Sequence, residues 1–75
     1  MIVRAEWPGY VVDILVSLGQ EVDEDEGLVI CESTDHAHTP FYVNAPENGK
    51  VKRILVEEGD FVDEDDELLE MIDAE

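Results

Sequence analysis

Gly49-Lys50-Val51-Lys52-Arg53-Ile54-Leu55-Val56-Glu57-Glu58-Gly59-Asp60-Phe61-Val62-Asp63-Glu64-Asp65 repeats, without a gap, the stretch that begins forty residues earlier at Gly9. Eleven positions are identical between Gly9–Asp35 and Gly49–Glu75: Gly9/Gly49, Val11/Val51, Ile14/Ile54, Leu15/Leu55, Val16/Val56, Gly19/Gly59, Val22/Val62, Asp23/Asp63, Glu24/Glu64, Asp25/Asp65 and Leu28/Leu68. A match of that density identifies two copies of one supersecondary unit. Two copies are too few for a solenoid, so the halves are expected to pack on each other as a pseudo-symmetric whole.

Each copy reads as β. Val11, Ile14 and Val16 sit among polar neighbours; Gly19 or Gly59 then marks a turn into the short strands Glu21-Val22 and Phe61-Val62. The acidic quartets Asp23–Glu26 and Asp63–Asp66 interrupt the apolar pattern, which resumes at Leu28–Cys31 and Leu68–Ile72. Short strands between turn signals, with no sustained helical period, predict an all-β chain: a flattened barrel or sandwich. Ile2–Ala5 reads as an opening strand and Pro8-Gly9 as a turn. Between the copies, the polar run Glu32-Ser33-Thr34-Asp35-His36-Ala37-His38-Thr39-Pro40 leads into the strand-like Phe41-Tyr42-Val43, which predicts a central exposed hairpin over 32–46. Loops held by a rigid scaffold are where function concentrates.

Composition bounds the rest. The chain has 75 residues, 44% of them hydrophobic, with 4 basic and 21 acidic side chains and a formal charge of −17. That is the size of a single domain over 1–75, of a class that buries only about 60% of its unfolded surface. Regular apolar clusters argue against disorder. The charge argues against nucleic acid and anionic membrane surfaces, because Arg4, Lys50, Lys52 and Arg53 are the only cations. A single cysteine, Cys31, excludes an intramolecular disulfide. No apolar run is long enough to span a bilayer and the N-terminus does not resemble a signal peptide, so the expected compartment is the cytoplasm. Abundant Asp and Glu with almost no Lys suit a surface kept hydrated in concentrated salt, where the Debye length falls to about 3 Å; a halophilic source is the expectation.

The ordered set Gly9-x-Val11, Ile14-Leu15-Val16-x-x-Gly19-x-x-Val22, Leu28, Ala45-Pro46-x-x-Gly49-x-Val51, Ile54-Leu55-Val56-x-x-Gly59-Asp60-x-Val62 and Leu68 resembles the biotinyl and lipoyl carrier domains across nearly the whole chain. The resemblance implies a flattened β-barrel of two four-stranded antiparallel sheets related by a pseudo-twofold axis. It also implies a cofactor-bearing lysine at the tip of the central hairpin, set in Asp-Lys-Ala or Met-Lys-Met. This sequence departs from the family there. Aligning forward from the first half puts Asp35 at the lysine position, and aligning backward from Ala45-Pro46 puts His38 there, so the hairpin is expected to be about three residues longer than usual. Matching Thr34-Asp35-His36-Ala37 to the lipoyl Thr-Asp-Lys-Ala puts His36 there. Biotin and lipoate are joined through an amide to a primary amine on a long stem, which imidazole cannot supply. Lys50 and Lys52 are the only lysines and fall outside the hairpin, so no attached lipoate or biotin is expected.

The remaining polar and aromatic clusters each have a chemical and a structural reading. His36 and His38 form an i, i+2 pair with Asp35 beside them and Cys31 and Glu32 before; on an extended strand both rings would share a face and suit a transition metal. Solvated loop histidines are the competing reading. Asp23-x-Asp25-x-Gly27 begins like a calcium loop, but its glycine is one place early and no helices flank it, so a solvated turn is expected. Trp7 is expected to close an edge of the core, with an exposed docking anchor as its alternative; Phe41 and Tyr42 should point to opposite faces, one of them available for docking; Phe61 is expected to be structural. Nothing supports nucleophilic catalysis. Three functional readings stand: a lysine-less carrier relative acting as a non-catalytic docking module for a protein partner such as a dehydrogenase or carboxylase complex; a small metal-binding protein using His36, His38 and Asp35; and a true carrier modified at an unexpected lysine.

Overall fold

The computed structural model describes residues 1–73; the last two positions of the second repeat, 74 and 75, lie outside the described residues. Eight strands follow in order: β1 (Ile2–Arg4), β2 (Gly9–Ile14), β3 (Glu21–Val22), β4 (Gly27–Ser33), β5 (Pro40–Asn44), β6 (Gly49–Ile54), β7 (Phe61–Val62) and β8 (Glu67–Asp73). They form two four-stranded antiparallel sheets, in the orders β1-β8-β6-β3 and β5-β4-β2-β7. This is the expected flattened sandwich, with no helix among the described residues.

The forty-residue shift carries β2, β3 and β4 onto β6, β7 and β8 at equal lengths. It also reaches further toward the N-terminus than Gly9. Val3 and Ala5 correspond to Val43 and Ala45, so β1 is the counterpart of β5. Hydrogen bonds obey the same relation. Ala5 N donates to Asp66 O at 2.9 Å and Asp65 N to Ala5 O at 2.8 Å; Ala45 N donates to Glu26 O at 2.9 Å and Asp25 N to Ala45 O at 2.8 Å. The register breaks at Val11/Asp13 in β2 and again at Val51/Arg53 in β6, a bulge repeated in both copies.

Alternation along each strand builds the interior. Val11, Leu28, Val29, Cys31, Val43 and Val62 of one sheet meet Val3, Val22, Val51, Leu68, Leu69 and Met71 of the other, all buried, and no polar or charged residue is buried among the described residues. Gly9 and Gly49 are required by close packing of strands. A Cβ at Gly9 would lie 2.6 Å from the Glu32 carbonyl oxygen, and one at Gly49 would lie 2.5 Å from that of Ile72.

Two aromatic expectations are corrected. Trp7 does not close the core: it is 53% exposed in the loop between β1 and β2, and packs edge-to-face on Phe41 with ring centroids 5.4 Å apart. Phe41 takes the place against the core. Phe61 is 51% exposed because its neighbour Val62 faces inward, and strand alternation turns it out against Tyr10.

Candidate functional site

β4 and β5 are the one pair of consecutive strands that lie side by side in the same sheet among the described residues; every other connection changes sheet. Their turn, Thr34–Thr39, therefore projects as a hairpin. Asp35 shapes it. Its Oδ1 accepts the backbone N–H of Ala37 at 3.1 Å and of Thr39 at 3.4 Å, while its carbonyl accepts the N–H of His38 at 3.1 Å. Ser33 N closes the turn on Thr39 O at 2.9 Å. His38 adopts the left-handed conformation at φ 49° and places Nδ1 3.5 Å from Glu32 Oε1. The side chain of Ser33, followed by the backbone N–H groups of the turn, holds the Asp35 carboxyl below the usual aspartate range. Ser33 Oγ is itself buried and completes no hydrogen bond of good geometry.

Beside the hairpin lies an open cleft of about 350 Å³, lined by Trp7 and Pro8 of the β1–β2 loop, Ser33, Thr34, Asp35 and Thr39 of the hairpin, and Phe41 of β5. Trp7, Asp35 and Phe41 stand out separately along the sequence; their meeting depends on the β1–β2 loop, which sets Trp7 against Phe41. Tyr42 points away from this cleft and is exposed, as expected for the neighbour of an inward Phe41.

The metal reading loses its geometric basis. His36 and His38 stand on a turn, not on an extended strand, so the i, i+2 rule does not bring their rings to one face. Cys31 is buried in β4, and burial pushes its thiol pKa up, which leaves it protonated and unavailable. Among the described residues no group of three His, Cys, Asp or Glu side chains is placed to hold a metal ion.

The acidic quartets are turn chemistry. Asp23 N donates to Glu26 Oε1 at 3.1 Å and Glu26 N to Asp23 O at 3.0 Å; in the second copy Asp63 N donates to Asp66 Oδ2 at 2.8 Å and Asp66 N to Asp63 O at 3.1 Å. The carboxylates of Glu26, Asp63 and Asp66 accept backbone N–H groups of their own turns, and all eight acids face solvent.

The two lysines lie on β6 in the other sheet, Lys50 opposite Glu21 on one side and Ile72 on the other. The turn Thr34–Thr39 has no primary amine, so its residues do not fit covalent attachment of biotin or lipoate.

A pseudo-symmetric pair of four-stranded sheets with one projecting hairpin defines a protein of the carrier-domain class. The chain belongs to the Biotin_lipoyl family, described as biotin-requiring enzyme, which it matches over residues 8–71. Comparison with curated proteins returns no match. Among solved structures it is similar to part of the urea carboxylase of Kluyveromyces lactis, at 26% identity and TM-score 0.87, covering 96% of this chain and 6% of that one. It is also similar to part of a single-chain, multi-domain long-chain acyl-CoA carboxylase, at 26% identity and TM-score 0.88, covering 99% of this chain and 7% of the other. The lipoyl domain of the 2-oxoglutarate dehydrogenase complex from Azotobacter vinelandii aligns at 25% identity and TM-score 0.72, covering 91% of this chain and 82% of that one. The chain thus spans only a small fraction of either carboxylase.

Proposed function

We propose that this protein is a carrier-type domain that has kept the scaffold and exchanged cofactor attachment for docking, serving as a non-catalytic binding module for a protein partner in a dehydrogenase or carboxylase assembly. The observation that supports this reading is the hairpin: a turn built on Asp35, with His36 and His38 at its tip and no amine to acylate, on the projecting feature of a carrier fold. Carboxylases and a dehydrogenase complex among the similar structures indicate the kind of assembly such a partner would come from. The cleft between Trp7 and the hairpin offers an aromatic wall beside a carboxylate, a surface suited to protein contact.

Intact mass of the protein isolated from its own host, under denaturing and native conditions, tests this. The expected result is the unmodified chain mass in both. An added biotinyl or lipoyl mass, with Lys50→Arg and Lys52→Arg variants locating it, would instead make the protein a working carrier modified outside the hairpin.

A further inference from the structure

The two copies of the repeat are an internal control on what the fold requires, and their outer faces differ in kind. On the β1-β8-β6-β3 sheet, cross-strand neighbours Glu21, Lys50 and Ile72 form one outward row, and Arg53, Glu70 and Ile2 the next. Arg53 Nε pairs with Glu70 Oε1 at 2.6 Å. Their counterparts on the other sheet are Phe61, Tyr10 and Glu32 in the first row and Asp13, Ile30 and Tyr42 in the second. Where one half exposes Glu21 and Lys50, the other exposes an aromatic pair, Phe61 and Tyr10, at 5.4 Å. Tyr10, Tyr42 and Phe61 are each more than half exposed, and Val12 at the bulge replaces the charged Lys52 of the other copy.

The other sheet carries Glu21, Lys50 and Glu70 where this one carries Phe61, Tyr10 and Ile30, so charged residues are compatible with these three positions and folding does not require apolar side chains there; only Tyr42 has an apolar counterpart, Ile2. On a chain of charge −17 Phe61, Tyr10, Ile30 and Tyr42 form an apolar face whose own charges, Asp13 and Glu32, are both negative, while all four basic residues, Arg4, Lys50, Lys52 and Arg53, lie on the opposite sheet. A second copy laid on this face would bring two strongly acidic molecules together. A partner with an apolar centre and a basic rim would be attracted instead. We propose that the outer face of β7-β2-β4-β5, centred on Phe61, Tyr10, Ile30 and Tyr42, docks a basic-rimmed apolar surface of another protein. This deepens the docking reading by naming a surface and a partner chemistry, and that surface is separate from the turn Thr34–Thr39 and the Trp7 cleft.

The test uses a probe of that chemistry: an amphipathic Leu/Lys peptide titrated into the full chain and followed by amide and aromatic NMR shifts. An all-Lys peptide of equal charge serves as control. The key variant is Tyr10→Lys/Phe61→Glu, which copies the residues of the other half and leaves net charge at −17. Tyr10→Thr/Phe61→Thr is the second variant, should the first fail to fold. The expected result is that Leu/Lys shifts cluster on β2, β4, β5 and β7, that affinity falls about tenfold or more in either folded variant, and that the all-Lys peptide binds more weakly and diffusely. Equal binding to the variants, shifts clustered on the other sheet or on the turn Thr34–Thr39, or indistinguishable binding of the two peptides would overturn the proposal. So would sedimentation showing that the wild type self-associates through this face and the variant does not. None of these outcomes bears on the intact-mass test of cofactor attachment, so the two readings fail separately.

Discussion

Asp35 is the residue on which the hairpin turns, because one carboxylate oxygen satisfies two backbone N–H groups that face no strand partner. Its folded pKa lies below the ordinary aspartate value near 3.9, so it stabilises the turn above that range, and this stabilisation is lost as the pH falls through the folded value. Acid titration should therefore move the Ala37 and Thr39 amide resonances together at a pH below that of an ordinary aspartate. Asp35→Ala should abolish the transition and speed exchange of the same two amides while the sheets keep their spectrum; an unaltered pair of amides would show that the carboxylate is idle. Glu70 has the same sign for a different cause, its hydrogen bond from Arg53, followed by the attraction of that guanidinium. At Gly9 the constraint is steric. A methyl group there meets the Glu32 carbonyl, which belongs to a paired strand and cannot step aside, so Gly9→Ala should lower stability by about 1–3 kcal/mol in urea unfolding, and Gly49→Ala should match it.

At the scale of the strand and turn, the repeated glycines and acids have separable jobs. Gly19 and Gly59 hold φ at 83° and 92°, and their N–H groups reach Val51 O and Val11 O, both at 2.8 Å. Asp25 and Asp65 share the left-handed region at φ 69° but carry a Cβ, which costs about 1 kcal/mol relative to glycine there. The double variant Asp25→Gly/Asp65→Gly is therefore expected to be as stable as the wild type or more so, read as a melting midpoint, and to remove two negative charges as well; a marked loss would mean these side chains make contacts that the left-handed geometry hides. Much at this scale was legible in the sequence. The identical Val22 and Val62 already implied inward positions, and alternation from Val62 would have turned Phe61 outward; the signal was present but outweighed by the expectation that an aromatic in a short strand is structural. Trp7 had no such signal, because loop residues have no period from which to read a direction.

Across the whole molecule, a small buried core opposes a large like-charge surface. Leu28, Leu68 and Leu69 are fully buried, and cutting Leu28 or Leu68 back to alanine should cost about 2–5 kcal/mol, a large share of the stability of a domain this small. If the acidity is an adaptation to concentrated salt, the melting temperature should rise from dilute buffer to molar salt as surface repulsion is screened; a melting temperature indifferent to salt ends the halophilic proposal. The β character, the twofold repetition and the position of the hairpin could all be read along the chain, because alternation, turn residues and an ungapped forty-residue match are local or periodic properties. Sheet membership could not. That β2 lies beside β7 and that Trp7 reaches Phe41 are contacts between distant segments, and from them follow the joining of Phe61 and Tyr10 with Ile30 and Tyr42 into one apolar face and the cleft of Trp7 against the hairpin. Those groupings exist only once strands far apart in the chain have chosen their neighbours, since side-chain alternation says which way a residue points but not what stands next to it.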